Sequence, residues 1–288
     1  MRISENISIF EDTMKLCKNN KKLREAILQS IESQRVILET EDINIKEDVS
    51  KRNSKKMEVI VSKKRSFEAA SAYKDKKVCV HNFASASNPG GGVTKGAFAQ
   101  EECLCRISTL YPCISDGKTK AAFHDYHRSL LMGEVMTPLY NDDCIYTPGV
   151  VVFKGDDESP ALMPESNWYT VDVITCAAPN LRSIPSNRMN SGAGKRKAPQ
   201  IRVEELKEIH KKRMRRILDL AKKNGAEVVI LGAFGCGAFQ NPPEVVAEAC
   251  REILPEYENA FEMIEFAVYC SEWETINYDV FDRILRMK

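Results

Sequence analysis

From Met57 onward, short apolar runs rich in Val, Ile and aromatic residues alternate with longer amphipathic stretches, and this alternation constrains the fold more than any other feature of the sequence. The apolar runs span Met57 to Val61, Lys77 to Phe83, Ile145 to Phe153, Val171 to Ala177, Glu227 to Ala233 and Ile264 to Cys270. Most are apolar at successive positions, as strands buried on both faces must be. Between them, apolar residues at three- and four-residue spacing predict helices over Ser66 to Tyr73, Glu101 to Tyr111, Lys118 to Met132, Val203 to Asn224 and Pro243 to Leu254, with Gly225 as the end cap of the fourth. The pattern predicts an α/β fold, a sheet layered with helices.

The segment before Met57 reads differently. Ile7, Phe10, Met14 and Cys17, then Ile27, Leu28, Ile31 and Ile37 or Leu38, recur at helical spacing from Ser4 to about Glu39, which predicts two helices broken near Asn19-Asn20. Residues 41–56 are dominated by Glu, Asp, Lys, Asn and Ser and read as a surface connection. The expected division is an N-terminal helical accessory region, 1–56, and one larger domain, 57–288.

The 288 residues carry 42 basic and 41 acidic side chains, a net charge of +1, so no global field draws the protein to nucleic acid or an anionic membrane. A phosphate-bearing ligand must be held by local chemistry, and no direct DNA or RNA binding is expected. There is no run of about 18 apolar residues, and MRISENISIFEDTMK lacks the charged-then-apolar pattern of a signal peptide; the expectation is a cytoplasmic protein without a membrane partner. Its ten cysteines sit mostly in apolar segments and read as reduced core residues.

The first segment with chemical content is HNFASASNPGGGVTKGAFAQEECLCR, from His81 to Arg106. An apolar strand ends, the chain turns through Asn88 and Pro89, and Gly90, Gly91 and Gly92 follow. Three successive glycines suit a backbone that takes unusual dihedrals or lies directly against a ligand; a mobile surface turn explains them equally well. Gln100, Glu101 and Glu102 then open a helix whose apolar face includes Leu104, Ile107 and Leu110. Paired acids at a helix start can simply compensate its dipole. Adjacent helical residues point about 100° apart, however, so the two carboxylates have different surroundings and can take different roles.

The second segment is EVVILGAFGCGAFQNPP, from Glu227 to Pro243. A strand delivers Gly232, Ala233, Phe234, Gly235, Cys236, Gly237, Ala238 and Phe239, and Pro242-Pro243 opens a helix. Small residues expose successive backbone N–H groups, which can form an anion nest without any Lys or Arg. The aromatics offer a flat surface for a base or sugar, although Phe234 has a core reading as well. Both loops leave strand ends, where ligands of open α/β sheets bind, so the two can share one cleft.

Other candidates are weaker. Residues 182–202 carry Arg182, Arg188, Lys195, Arg196, Lys197 and Arg202 with no acid, and read as a mobile loop, with an anion-binding flap as the alternative. His124 and His127 share a helix face around Asp125, but without a third ligand they read as structural rather than metal-binding. Cys103 and Cys105 read as packing, and Cys236 as a small loop residue without a partnered histidine.

Taken together, Asn88-Pro89-Gly90-Gly91-Gly92 followed after seven residues by Gln100-Glu101-Glu102 resembles the catalytic loop of the bacterial-type (microbial) poly(ADP-ribose) glycohydrolases, a branch of the macrodomain fold. LGAFGCGAFQNPP looks like that family's diphosphate loop, and VITCAAPN, Val173 to Asn180, is similar to its text; the likeness runs from about Ser66 to Ala267. It implies a three-layer α/β/α sandwich with a mixed central sheet, residues 57–288 forming the catalytic domain. It also implies Glu102 as the catalytic acid, Glu101 holding the ribose, Asn88 and Gly90 to Gly92 along the ribose and diphosphate, and Gln100 among the ligand-binding residues. Gly235 to Ala238 would then wrap the diphosphate and Phe239 stack near the terminal sugar or adenine, with Gly232, Ala233 and Phe234 also in the ligand-binding loop. Glu68 is a further candidate for reading the adenine amino group, against the reading of an ordinary solvated helix residue.

The chemistry this implies is hydrolysis of the ribose–ribose O-glycosidic bond of poly(ADP-ribose), releasing ADP-ribose, with one Glu as acid and then base and no metal or cofactor. Two alternatives stand beside it: a macrodomain that reads ADP-ribose without cleaving it, and a hydrolase that removes ADP-ribose from modified protein.

Overall fold

The computed structural model describes residues 3–43, 56–189, 192, 197 and 199–286. Among the described residues seven strands form one mixed sheet: β1 (Arg35–Ile37), β2 (Glu58–Ser62), β3 (Val78–Phe83), β4 (Cys144–Val152), β5 (Tyr169–Cys176), β6 (Val228–Leu231) and β7 (Met263–Ala267), in the spatial order β1-β4-β5-β3-β6-β7-β2. The five strands from β5 to β2 run parallel, while β4 and β1 extend one edge antiparallel. Strand periodicity divides the side chains between two faces. Cys79, Ile174, Cys176, Val229, Leu231, Ile264 and Phe266 pack on one side, with helices α8 (Val203–Lys223), α9 (Pro243–Ile253) and α10 (Ile276–Leu285). Val78, Val80, Val171, Val173, Val228 and Ile230 pack on the other, with α1 (Ile3–Asn19), α3 (Ser66–Ala70), α4 (Gln100–Ile107) and α5 (Leu110–Ile114). The result is the expected α/β/α layering around a mixed sheet.

All six strand segments read from the sequence are present, within two or three residues at each end. The N-terminal helix reading divides as expected at Asn20, which caps α2 (Lys21–Ser33) by accepting from the Leu23 N–H at 3.2 Å. Its far end differs: instead of continuing to Glu39, the chain extends as β1 and pairs with β4, Val36 opposite Ile145. Two β-branched or apolar residues in a row fit helix and strand periodicity alike, and the free edge of β4 decides between them.

The stretch from Glu101 to Tyr111 is two helices rather than one. Ser108 is extended (φ −145°), and Thr109 exchanges hydrogen bonds with Val151 of β4, its N–H donating at 3.0 Å and its hydroxyl accepting at 2.9 Å. Lys118 to Met132 resolves into α6 (Gly117–Lys120), a π-helical turn over Ala121–Asp125 and α7 (Tyr126–Met132). Gly225 ends α8 with φ +74°, in the left-handed region where glycine carries no penalty. All ten cysteines are free thiols, and no helix of the described residues is long and apolar enough to cross a membrane. Lys195 and Arg196, with most of 41–56, lie outside the described residues.

Candidate active site

A cavity of about 580 Å³ opens beyond the carboxyl ends of β3, β5, β6 and β7, with Phe83, Ala178, Ala233 and Ala267 among its walls. This is where open α/β sheets bind ligands. The two glycine-rich segments, about 140 residues apart in the chain, meet here: Gly91, Gln100, Glu101 and Glu102 line one side, and Ala233, Gly235, Gly237, Ala238 and Phe239 another.

Three side chains at the start of α4 tie that helix to the end of β3. Gln100 accepts from the Phe83 N–H at 2.9 Å and donates to the His81 carbonyl at 2.7 Å and to the Ser66 hydroxyl at 3.0 Å. Both ends of its amide are thus engaged within the protein. Glu101, buried, accepts from the Ser85 N–H at 2.7 Å and from Asn82 Nδ2 at 3.3 Å. Glu102, also buried, accepts from the Gly92 N–H at 2.8 Å through Oε1, while its Oε2 has no hydrogen-bond partner among the described residues.

Burial pushes both carboxyls above their ordinary values, and the neighbouring charge of Glu102 adds to the rise at Glu101. The donors differ between the two. Glu101 meets N–H groups on both oxygens, an arrangement that suits an anion, whereas a proton on Oε2 of Glu102 displaces no donor. A proton on the second acid of the pair therefore costs no hydrogen bond within the protein.

The glycines between them are required by space. Gly91 has φ +58°, and a Cβ there would collide with Oε1 of Glu102. In the second loop Gly235 has φ +79°, and a Cβ would lie 2.6 Å from both Ala178 Cβ and Asn241 Nδ2. The N–H groups of Gly237, Ala238 and Phe239 have no acceptor among the described residues. They are free to face an anion.

Several expected ligand residues do not reach the cavity wall. Gly90, Gly92 and Asn88 stand behind it, with Asn88 Oδ1 accepting from Arg128 at 2.6 Å. Gly232, Phe234 and Cys236 are likewise not among the lining residues. Phe234 is fully buried, its ring 4.4 Å from His81 and 5.6 Å from Phe83, so its core reading describes its position. Burial pushes the Cys236 thiol up, away from nucleophilic use. Glu68 is exposed and accepts from the Arg65 N–H at 3.0 Å, capping its own helix. His124 contacts the Ala86 carbonyl at 3.3 Å and His127 pairs with Asp143 at 2.8 Å, both inside the protein.

Of the other lining residues, Arg65, Phe98, Asp156 and Tyr269 belong to no motif, while Arg182 opens the basic stretch 182–202. Asp156 accepts from the Phe67 and Glu68 N–H groups at 2.9 and 3.3 Å and so caps α3 from 88 residues away. Only the Gly155-Asp156-Asp157 turn after an apolar run hinted at a role for it.

Comparison with known proteins agrees with this geometry. The family described as microbial-type PARG, catalytic domain, matches residues 4–155. Among solved structures, the poly(ADP-ribose) glycohydrolase of Thermomonospora curvata is 27% identical, with a TM-score of 0.80 over 99% of this chain and 100% of its own. The same enzyme bound to the inhibitor ADP-HPD is similar at 28% identity and TM-score 0.78, over 98% and 99% of the two chains. The Deinococcus radiodurans glycohydrolase in complex with ADP-ribose matches at 29% identity and TM-score 0.71, over 90% and 96%. No curated protein sequence matches the chain. The chain belongs to the microbial-type PARG catalytic-domain family, and it is a glycohydrolase.

Proposed function

We propose that the protein hydrolyses the ribose–ribose O-glycosidic bonds of poly(ADP-ribose) and releases ADP-ribose, with Glu102 as the general acid and base. The observation that carries this reading is the state of the Glu102 carboxyl: buried at a cavity wall, one oxygen fixed by the Gly92 N–H and the other without a partner among the described residues. The protonated carboxyl donates to the leaving 2′-oxygen as the bond from that oxygen to the anomeric carbon breaks. Water then attacks the oxocarbenium-like carbon, and the Glu102 carboxylate takes its proton, which restores the acid.

The diphosphate of the substrate, held by the N–H groups of Gly237, Ala238 and Phe239, lies close enough in this scheme to stabilise the developing positive charge. Glu101 holds the ribose end of the loop in register through Ser85 and Asn82. The relatives' complexes with ADP-ribose and with ADP-HPD support an ADP-ribose-shaped cavity. Residues 57–288 form the catalytic unit in this proposal and 1–56 its accessory region, and the ten free thiols favour a reducing, cytoplasmic setting.

Incubation with labelled poly(ADP-ribose) tests the reading. Released ADP-ribose is the expected product. Tight binding without release would mean a reader of ADP-ribose, and release only from mono-modified protein would mean a protein-directed hydrolase.

A further inference from the structure

Among the described residues two arginines line the cavity, and their surroundings differ. Arg65 has a carboxylate near it, Asp156, whose own titration its charge affects. Arg182 has none among the described residues: its Nε donates to Asn180 Oδ1 at 3.1 Å and its Nη2 to the Pro185 carbonyl at 2.5 Å, both neutral acceptors. Its Nη1 has no hydrogen-bond partner among the described residues. The group is not loosely held. Asn180, fully buried, is itself fixed by Tyr140 and by the Pro185 carbonyl, and the guanidinium lies 5.4 Å from the centre of the Phe239 ring. Half-burial already disfavours its charge. A partly desolvated cation with no anion beside it, anchored on neutral oxygens next to a row of free N–H groups, is an anion site waiting for its counter-charge.

We propose that Arg182 is a phosphate-binding residue of this cleft, which completes with a formal positive charge the nest formed by Gly237, Ala238 and Phe239. The inference rests on the ADP-ribose reading of the cavity. The phosphate can come from the terminal ADP-ribose unit or from the adjoining unit of the polymer; the chemistry at the guanidinium is the same. Arg182 opens the basic stretch at 182–202 and is its one cation set on the cavity wall among the described residues.

The test uses the whole protein and the Arg182→Met variant, with ADP-ribose and phosphate-free adenosine as calorimetric ligands and labelled polymer as substrate. One lost charge-assisted hydrogen bond corresponds to about a tenfold weakening or more. A tenfold rise in the ADP-ribose Kd with adenosine binding unchanged supports the proposal and assigns the terminal diphosphate. Unchanged ADP-ribose binding with a tenfold rise in polymer KM supports it and assigns the adjoining unit. Equal weakening of ADP-ribose and adenosine would mean that Arg182 only props the Asn180–Pro185 turn, and overturns it, as does no change in any of the three. Arg182→Lys, which keeps the charge, should recover part of the loss. Failure of the parent protein to bind ADP-ribose or to cleave polymer would instead sink the reading of the cavity as a whole.

Discussion

The N–H of Gly92 donates to Oε1 of Glu102 across 2.8 Å, so one hydrogen bond joins the triple-glycine loop to the helix that carries the acid. It fixes the rotation of the carboxyl and leaves Oε2 as the face that can hold and deliver a proton. Glu102→Gln keeps the shape and the Oε1 contact but has no proton to exchange. We expect kcat on poly(ADP-ribose) to fall by about 10²-fold or more, the usual contribution of general acid catalysis, while calorimetric affinity for ADP-ribose stays near that of the parent. Equal losses of binding and turnover would remove Glu102 from the proton-transfer role.

Gly91→Ala tests the same junction from the other side. The backbone there has φ +58°, and the added Cβ would meet Oε1 of Glu102. A non-glycine residue in the left-handed region costs about 1–2 kcal/mol, and the collision adds to it by turning the carboxyl off its hydrogen bond. Turnover should drop at least about tenfold with a smaller effect on melting temperature, measured side by side. A variant that melts early but turns over normally when folded would show that the contact does not orient the acid.

The pH dependence follows from the burial of the pair. In the proposed mechanism the proton on Glu102 is needed for leaving-group departure, and burial raises its pKa against the opposing pull of the Gly92 N–H and Arg106. The basic limb of kcat/KM should therefore begin above the ordinary Glu value of about 4.3 and fall as pH rises through the elevated pKa. A profile that already declines near pH 4 to 5 would place an ordinary, solvated carboxylate in the role.

Most of this arrangement was legible in the sequence because strand ends, glycine runs and paired acids are local signals. The six strands and the meeting of the two loops follow from apolar periodicity and from where loops leave a parallel sheet. What was not legible depends on partners far away in the chain. Val36 and Ile37 become a strand only because β4 offers an edge. Ser108 and Thr109 break a helix because Val151 takes up the hydrogen bonds of Thr109. Phe234 turns to the core because His81 and Phe83 are there to receive it. Gln100 illustrates the same limit: its amide, read as a ligand group, is engaged by Phe83, His81 and Ser66.

Asp156 carries a second pH signature. Burial raises it to about 6, against the lowering effect of the Phe67 and Glu68 N–H groups and of Arg65, with Glu68 adding a smaller rise. A carboxyl whose folded-state pKa exceeds its unfolded value stabilises the fold while protonated, and that contribution fades as pH rises toward the folded value. Melting temperature should thus lose a component between about pH 4, the ordinary Asp value, and about pH 6. Asp156→Asn, which keeps an acceptor oxygen for α3, should flatten the curve over that interval. A variant with the same slope would assign the dependence to another group.

We expect the first helix to brace the triple-glycine loop, and its Asn6 is the place to test that. Asn6 is almost fully buried and donates to the Gly96 carbonyl at 2.9 Å, at the far end of the glycine loop. One turn on, Phe10 packs edge-on against Tyr111 with ring centres 4.9 Å apart, and the Tyr111 ring lies beneath Gly90, where a Cβ would come within 2.7 Å of it. Further along, Thr13 donates to the carbonyl of Arg106, one turn beyond Glu102 in α4. A single face of α1 thus touches the far end of the loop, the Tyr111 ring beneath its start, and the helix that carries Glu102. Asn6→Ala removes the buried donor and leaves the Gly96 carbonyl without it, a loss of about 1–3 kcal/mol. We expect a lower melting temperature together with a fall in kcat that exceeds any change in KM, because the loop's register relative to Glu102 is what loosens. Leu28→Ala on the exposed face of α2, where Leu28 is 66% accessible, should change neither. If Asn6→Ala lowers stability alone, at unaltered kcat, α1 merely covers the core and has no part in setting the geometry of the acid.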